Sequence, residues 1–393
     1  MNEVSDVYAP PKAVETEPTG TPRALVAWAA IVAAALFGCS LLCALLLRWS
    51  SLSPTGLLSK DSYSLAFVAH MRLAIPFGNA LTLLLLSIVS PIDARDRWRQ
   101  RVFWATTGLV ALEALITTAL PYRGLPEAVV TGDVRFTFAA VSLCLLWGAV
   151  RCLPGIGAAI LLAAPLGSWF EGAREDYWFL LCQAALSSRW AADGAAVSFR
   201  DRRFPVRRDQ LLLLGVPLAF HSRFGSSALS LIWTGVAAWL AVLVWTRMTP
   251  PIPLAARVLA RGGLGLFALH TLTGAMLRVL SMGTHLNDTL FLAGSGHAAV
   301  LGVTLMALAA ALRILPEPPV PVRTLRNGMR LWLAGSVGFV LTFCVLGARG
   351  NPARYVYYLP EFVELQRIAS LSTLALTVGV LLVGFALTRR APS

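Results

Sequence analysis

Between Arg23 and Thr388 the chain is a succession of apolar runs, each about 20 residues long and so able to cross a hydrocarbon layer of about 30 Å as a helix. Inside lipid every backbone N–H and C=O must find its partner within the chain, which limits spanning segments to helices and closed barrels. Runs of this length predict an all-α polytopic membrane protein. Twelve spans are expected, at 24–48, 63–90, 101–121, 134–153, 155–171, 177–196, 209–222, 225–247, 254–279, 288–314, 328–348 and 362–388. The fifth and seventh are short, and tilting, re-entry or fusion there would bring the count to between ten and twelve. Charged residues make up only 13% of the chain, against about 25% in soluble domains. The first run lacks a small-residue cleavage site and many others follow it, so it reads as a span rather than a signal peptide. Residues 1–22 carry Pro and Glu without an apolar run and are expected to form a disordered cytoplasmic tail, leaving 23–393 as one transmembrane domain.

The net charge of +13 is distributed by topology. One set of connections carries Arg95, Arg97, Arg99 and Arg101, the run RDRRFPVRR (200–208), then Arg247, Arg257, Arg261, Arg323, Arg326, Arg330, Arg389 and Arg390. The opposite connections carry Arg48, Lys60, Arg123, Arg174, Arg223, Arg278, Arg349 and Arg354, mostly one to a loop. The positive-inside rule then places both termini in the cytoplasm. The excess charge speaks for contact with anionic lipid and against nucleic acid. The six cysteines lie in or beside apolar runs without a CxxC spacing and read as buried thiols. Gly-rich phosphate loops have no context, because no strand is expected to precede one.

Ionisable groups inside a membrane are expensive and mark functional candidates. His285 falls in an outer loop, and His270 reads equally as a hydrogen-bonded structural group or a ligand. His70 and His297 form a more informative pair. Each follows an aspartate (Asp61, Asp288) by nine residues on an even-numbered span, about 13 Å along its helix. Small residues (Ala66, Ala69, Gly294, Gly296) accompany them. Two imidazoles at matched depth suit the axial positions of a flat macrocycle between the helices, a bis-histidine arrangement that favours electron transfer. Two unrelated packing histidines are the alternative. Arg72 and Glu113, at similar depth in the second and third spans, are expected to pair as a structural clamp, with a proton relay as the other reading.

The segment TGAMLRVLSMGTHLNDTLFLAGSGHAAVLG (273–302) resembles, without a gap, the ninth-to-tenth-helix region of subunit I of haem–copper oxidases, matching at Thr273, Gly274, Asp288, Thr289 and His297. ALLLRWSSLSPTGLLSKDSYSLAFVAHMRLAIPFGN (44–79) is similar to the end of helix one and helix two of that family. DARDRWRQRVFW (93–104) resembles its loop into helix three, and GARGNPARYVYYLPEF (347–362) its loop before helix twelve. The resemblance implies a subunit I-like bundle. It makes His70 and His297 the axial ligands of one low-spin haem, b or a in type, and places Arg48, Arg354 and Tyr355 around its periphery and propionates. Ala353 stands where the family has a further arginine.

The same alignment removes the family's reactive site. The position of the high-spin haem ligand is Ser295. Helix six, DYWFLLCQAALSSRW (176–190), has neither the copper-ligating histidine nor its tyrosine, and helix seven, FHSRF (220–224), keeps at most His221. One imidazole cannot make the trigonal nitrogen site that copper requires. Asn287 replaces a magnesium-site histidine, leaving Asp288. Proton uptake is expected to be lost with the helix-six glutamate and with the helix-eight lysine, whose position aligns with Ala237; Asp93 alone would remain of the entrance. No catalytic residue is expected. The implied role is a low-spin haem electron-transfer subunit of a membrane respiratory complex in a bacterial inner membrane. It would work beside other membrane subunits, with a c-type cytochrome or copper protein as an outer-face partner. The alternatives are a cofactor-free pseudo-subunit that docks another membrane protein and, further from the residues, an active terminal oxidase or nitric oxide reductase.

Overall fold

The computed structural model describes residues 21–52, 58–90, 92, 95–119, 146, 155, 157–162, 174–192, 196–224, 228–249, 254–315, 322–352 and 360–388. Its helices are α1 (Thr21–Leu52), α2 (Lys60–Val89), α3 (Arg97–Ala119), α4 (Arg174–Ala192), α5 (Arg208–Phe224), α6 (Ala228–Arg247), α7 (Leu254–Arg278), the short α8 (Leu280–Leu286), α9 (Leu290–Ile314), α10 (Val322–Ala348) and α11 (Val363–Thr388). Among the described residues, the five helices α1, α2, α9, α10 and α11 are long and apolar enough to cross a membrane, and the protein is an integral membrane protein. The expected spans at 101–121, 177–196, 209–222, 225–247 and 254–279 fold as α3 to α7. These are shorter in their apolar stretch or carry more charge, as at Arg257, Arg261 and Arg278 of α7. The spans expected at 134–153 and 155–171 lie almost wholly outside the described residues.

α9 occupies the centre. It packs against α7, α10, α4, α2 and α1 and is buried on nearly every face from Ala298 to Ala311, as an all-round apolar helix must be. Its crossing with α7 is close enough to require glycine. A Cβ on Gly302 would lie 2.7 Å from the carbonyl oxygen of Gly263 and 2.9 Å from the Phe267 nitrogen. Small residues let membrane helices approach in this way, gaining van der Waals contact where lipid offers no hydrophobic driving force. α1 packs on α2 and α11, and α10 on α11.

α2 and α9 run parallel and in register. His70 faces His297, and deeper in the bundle Phe77, Leu81 and Leu84 line one cavity with Thr304, Leu308 and Ala311. The same sequence separation relates each residue to its partner. Parallel course is what two even-numbered spans require.

The expectation of a strand-free chain is corrected on one flank. Ala196–Phe199 (β1) and Arg202–Pro205 (β2) pair antiparallel, and Met248–Thr249 (β3) adds to the other edge of β1. The two-residue loop, Arg200 and Asp201, has φ of 46° and 65°, the left-handed pair of a primed hairpin turn that matches strand twist. Four-residue strands are too short to show a period in the sequence, and the arginines mask Val197, Phe199 and Phe204. The Arg247 guanidinium lies 5.5 Å above the Phe199 ring and ties α6 to this hairpin.

Candidate functional site

Each of the two histidine helices begins with a side-chain cap, which fixes its entry and hence the depth of its imidazole. Ser59 adopts an extended conformation and its Oγ accepts from the Ser62 N–H at 3.2 Å. Thr289 does the same for α9, accepting from the Phe291 N–H at 3.2 Å. Such caps satisfy donors that the first helical turn leaves orphaned. Downstream, the His70 and His297 rings stand 6.3 Å apart between centroids, with planes 9° from parallel.

Both imidazoles are held by their Nδ1 atoms. His70 Nδ1 lies 3.0 Å from the Ser40 carbonyl oxygen and 3.0 Å from the Ser40 Oγ. His297 Nδ1 lies 2.7 Å from the Ala293 carbonyl oxygen. A carbonyl oxygen only accepts, so Nδ1 carries the ring proton in each case. In the neutral imidazole this leaves the lone pair on Nε2 of both rings, the tautomer that metal-ligating histidines adopt. Beside His297, a Cβ on Gly296 would meet nothing within 4 Å. One turn back, a Cβ on Gly294 would come within 3.0 Å of the Phe343 Cβ, so the glycine admits α10 to the site.

α10 contributes an aromatic wall. Phe339 and Phe343 lie 5.1 Å and 6.0 Å from the His297 ring in edge-on geometry. Arg48, near the end of α1, sets its guanidinium 4.3 Å from the centre of Phe343 and 6.0 Å from that of Phe339. Its Nη1 donates to Gln366 Oε1 of α11 at 2.6 Å. Arg48, His70 and His297 thus lie around the same Phe339–Phe343 wall. Arg354 and Tyr355 lie outside the described residues.

Ser295, the lost-ligand position, is 2% exposed and takes part in a polar node between α7 and α9. Thr273 Oγ1 donates to Ser295 Oγ at 2.7 Å. His270 Nδ1 donates to the Ser295 carbonyl oxygen at 2.9 Å. His270 thus makes the hydrogen bond that its structural reading requires. The side chain of His221 is not among those described.

Glu113 is buried on α3 and accepts from Asn79 Nδ2 at 2.6 Å. Asn79 lies two turns beyond Arg72 on α2, so the polar link between these helices includes a residue the sequence did not single out. Ser40 and Gln366 were missed as well. A lone serine between Cys39 and Leu41, or a glutamine early in the last span, carries no pattern of its own. The signal available was that polar residues in a membrane helix need partners.

No protein-family model matches the chain. Cytochrome c oxidase polypeptide 1 of Halobacterium salinarum is 32% identical over 123 residues, which take in 30% of this chain and 19% of that protein. Cytochrome c oxidase subunit 1 of Corynebacterium efficiens is 29% identical over 157 residues, 38% of this chain and 24% of that protein. The aligned stretches thus span about a fifth to a quarter of those relatives. A cryo-EM structure of a haem–copper terminal oxidase dimer superposes with a TM-score of 0.52 at 14% identity, covering 95% of this chain and 84% of that one. At that identity the likeness speaks for the fold. The chain is a divergent membrane protein similar to oxidase subunit I.

Proposed function

We propose that this chain is a low-spin haem-binding electron-transfer subunit of a membrane respiratory complex, descended from a haem–copper oxidase core and without its oxygen-reducing haem and copper centre. The observation that carries the reading is the pair of imidazoles with centroids 6.3 Å apart and planes 9° from parallel. Imidazole nitrogens about 2 Å on either side of one metal ion would set ring centroids roughly 6 Å apart. The donor set fits as well: two neutral rings, each with its proton on Nδ1 and its Nε2 lone pair available.

A haem held by His70 and His297 would supply one-electron transfer. The residues around it have separable roles. Ser40 and Ala293 fix the ring tautomers. Phe339 and Phe343 keep water from the His297 face. Arg48, with Arg354 and Tyr355, would compensate propionate charge. Ser295 offers no second axial nitrogen, and its hydroxyl and carbonyl are engaged by Thr273 and His270. An Arg72–Glu113 pair would serve as a clamp between α2 and α3. In this reading twelve spans cross a bacterial inner membrane with both termini in the cytoplasm. Electrons would be exchanged with a c-type cytochrome or copper protein at the outer face, alongside other membrane subunits.

The test is a dithionite-minus-ferricyanide difference spectrum of the purified protein, with a pyridine haemochrome assay for haem type and stoichiometry. Sharp low-spin α and Soret bands are expected, lost in His70→Ala and in His297→Ala. A protein that purifies folded and free of haem would overturn the reading and leave the cofactor-free docking role.

A further inference from the structure

Gln366 is 0% exposed and stands near the start of α11, beside the end of α1. Arg48 donates to one end of its amide. Arginine has donors and no acceptor, so the atom it meets is the amide oxygen, and the other end is an NH2 group with two protons to give. That nitrogen, Nε2, is buried and finds no hydrogen-bond partner among the described residues. Buried amide groups are almost always paired, and an exception calls for an acceptor beyond the described residues. The backbone carbonyl of Gln366 is engaged elsewhere, accepting from Ser370 Oγ at 2.8 Å.

The position of the orphaned donor narrows what that acceptor is. Arg48, which fixes the amide, lies against the same Phe339–Phe343 wall as the His297 ring. Its charge is within electrostatic range of both imidazoles. An object broad enough to extend from the gap between the histidines toward this wall would bring its rim, rather than its centre, to α11. A porphyrin carries oxygen at its rim as propionate carboxylates or as a ring-conjugated carbonyl, and both accept hydrogen bonds.

We propose that Gln366 is a positioning residue whose Nε2 donates a hydrogen bond to a peripheral oxygen of the macrocycle held between His70 and His297. The proposal rests on the haem reading above. Gln366 thereby has two distinct tasks, orienting Arg48 through Oε1 and binding the rim through Nε2.

A double-mutant comparison separates those tasks. Gln366→Met is made in the wild-type chain and in an Arg48→Leu chain, with haem stoichiometry, α-band position and midpoint potential measured in each. If Nε2 meets the rim, Gln366→Met shifts the band or the potential further even when Arg48 is already gone. A band shift with a raised carbonyl stretching frequency in resonance Raman assigns the acceptor as a conjugated carbonyl. A lowered potential with an unmoved band assigns a carboxylate, because an unpaired carboxylate opposes reduction more strongly. No further shift in the Arg48→Leu background overturns the proposal and leaves the haem reading standing. A wild-type protein free of haem overturns both. If Gln366→Met fails to retain haem, Gln366→Glu keeps an oxygen for Arg48 but has no amide proton. Its resonance Raman spectrum is then compared with that of the wild type, and an unchanged rim signature overturns the proposal.

Discussion

The ring proton of His70 is shared between the carbonyl and hydroxyl oxygens of Ser40, each 3.0 Å from Nδ1, while the Ser40 hydroxyl lies 3.4 Å from the His70 carbonyl oxygen as its donor. The tautomer of the imidazole is therefore determined mainly by a backbone group, which a side-chain substitution does not remove. Ser40→Ala should keep the low-spin spectrum and lower stability by about 1 kcal/mol, the net worth of one hydrogen bond. The measurement is the temperature at which the Soret band is lost. Disappearance of the bands in Ser40→Ala would show the hydroxyl to be the controlling group.

Arg48 places a positive charge beside the site, against Phe343. With haem bound as proposed, a cation there would disfavour the more positive, oxidised iron. A unit charge about 8 Å away at an effective dielectric constant near 20 is worth ~2 kcal/mol, so Arg48→Leu should lower the midpoint potential by several tens of millivolts, on the order set by the one-electron conversion. Redox potentiometry followed at the α band reads it. An unchanged potential would place the guanidinium electrostatically outside the site.

His270 has the same kind of Nδ1 contact as the paired histidines, but its partner is the carbonyl of Ser295 and it faces no second imidazole among the described residues. His270→Ala should leave the α and Soret bands in place and lower thermal stability by about 1–3 kcal/mol, the cost of an unsatisfied buried acceptor. Loss of the low-spin bands in this variant alone would reassign the axial pair.

Reintroducing a histidine at the lost-ligand position should not restore oxygen chemistry. Ser295 is buried and receives a hydrogen bond from Thr273. Ser295→His forces an imidazole into that space and should destabilise the α7–α9 contact by about 1–3 kcal/mol, as overpacking does. An oxygen electrode and a thermal melt test the two halves of this expectation, and measurable oxygen uptake would refute the first.

Two glycines on α9 should respond in opposite ways. At Gly302 a Cβ would meet backbone of α7 at 2.7 Å, while at Gly296 it would meet nothing within 4 Å. Gly302→Ala should lower stability by about 1–3 kcal/mol, and Gly296→Ala should leave it unchanged or slightly raised. Equal effects in detergent melts would contradict the close α7–α9 crossing.

That His70 and His297 face each other was legible in the sequence because depth in a membrane is counted in residues. Asp61 lies in the first turn of α2, while Asp288 precedes the Thr289 cap of α9, so the nine-residue spacing runs almost wholly along helix in both. Arg48 became legible through the resemblance, since nothing in LLLRWSS marks the arginine as facing inward. Ser40 and Gln366 were not legible. Their roles depend on which faces of α1, α2, α10 and α11 meet, and rotation about a helix axis is weakly encoded where most faces are apolar. The hairpin at Ala196–Pro205 was hidden for a different reason: its strands are four residues each, and its arginines dominate any measure of polarity. The sequence marks Ser295, Thr273 and His270 separately but not the node they form, because its three members come from two helices and satisfy one another.

The parallel course of α2 and α9 sets a parity. Two membrane-crossing helices that point the same way oblige the chain joining them to cross an odd number of times. The seven passages expected between the second and tenth spans satisfy that rule. Removing just one of the two short segments, 155–171 or 209–222, would break it. A topology map of this stretch should find both or neither, so that an odd total of eleven arising from the loss of one is forbidden by the direction of two helices that lie outside the stretch altogether.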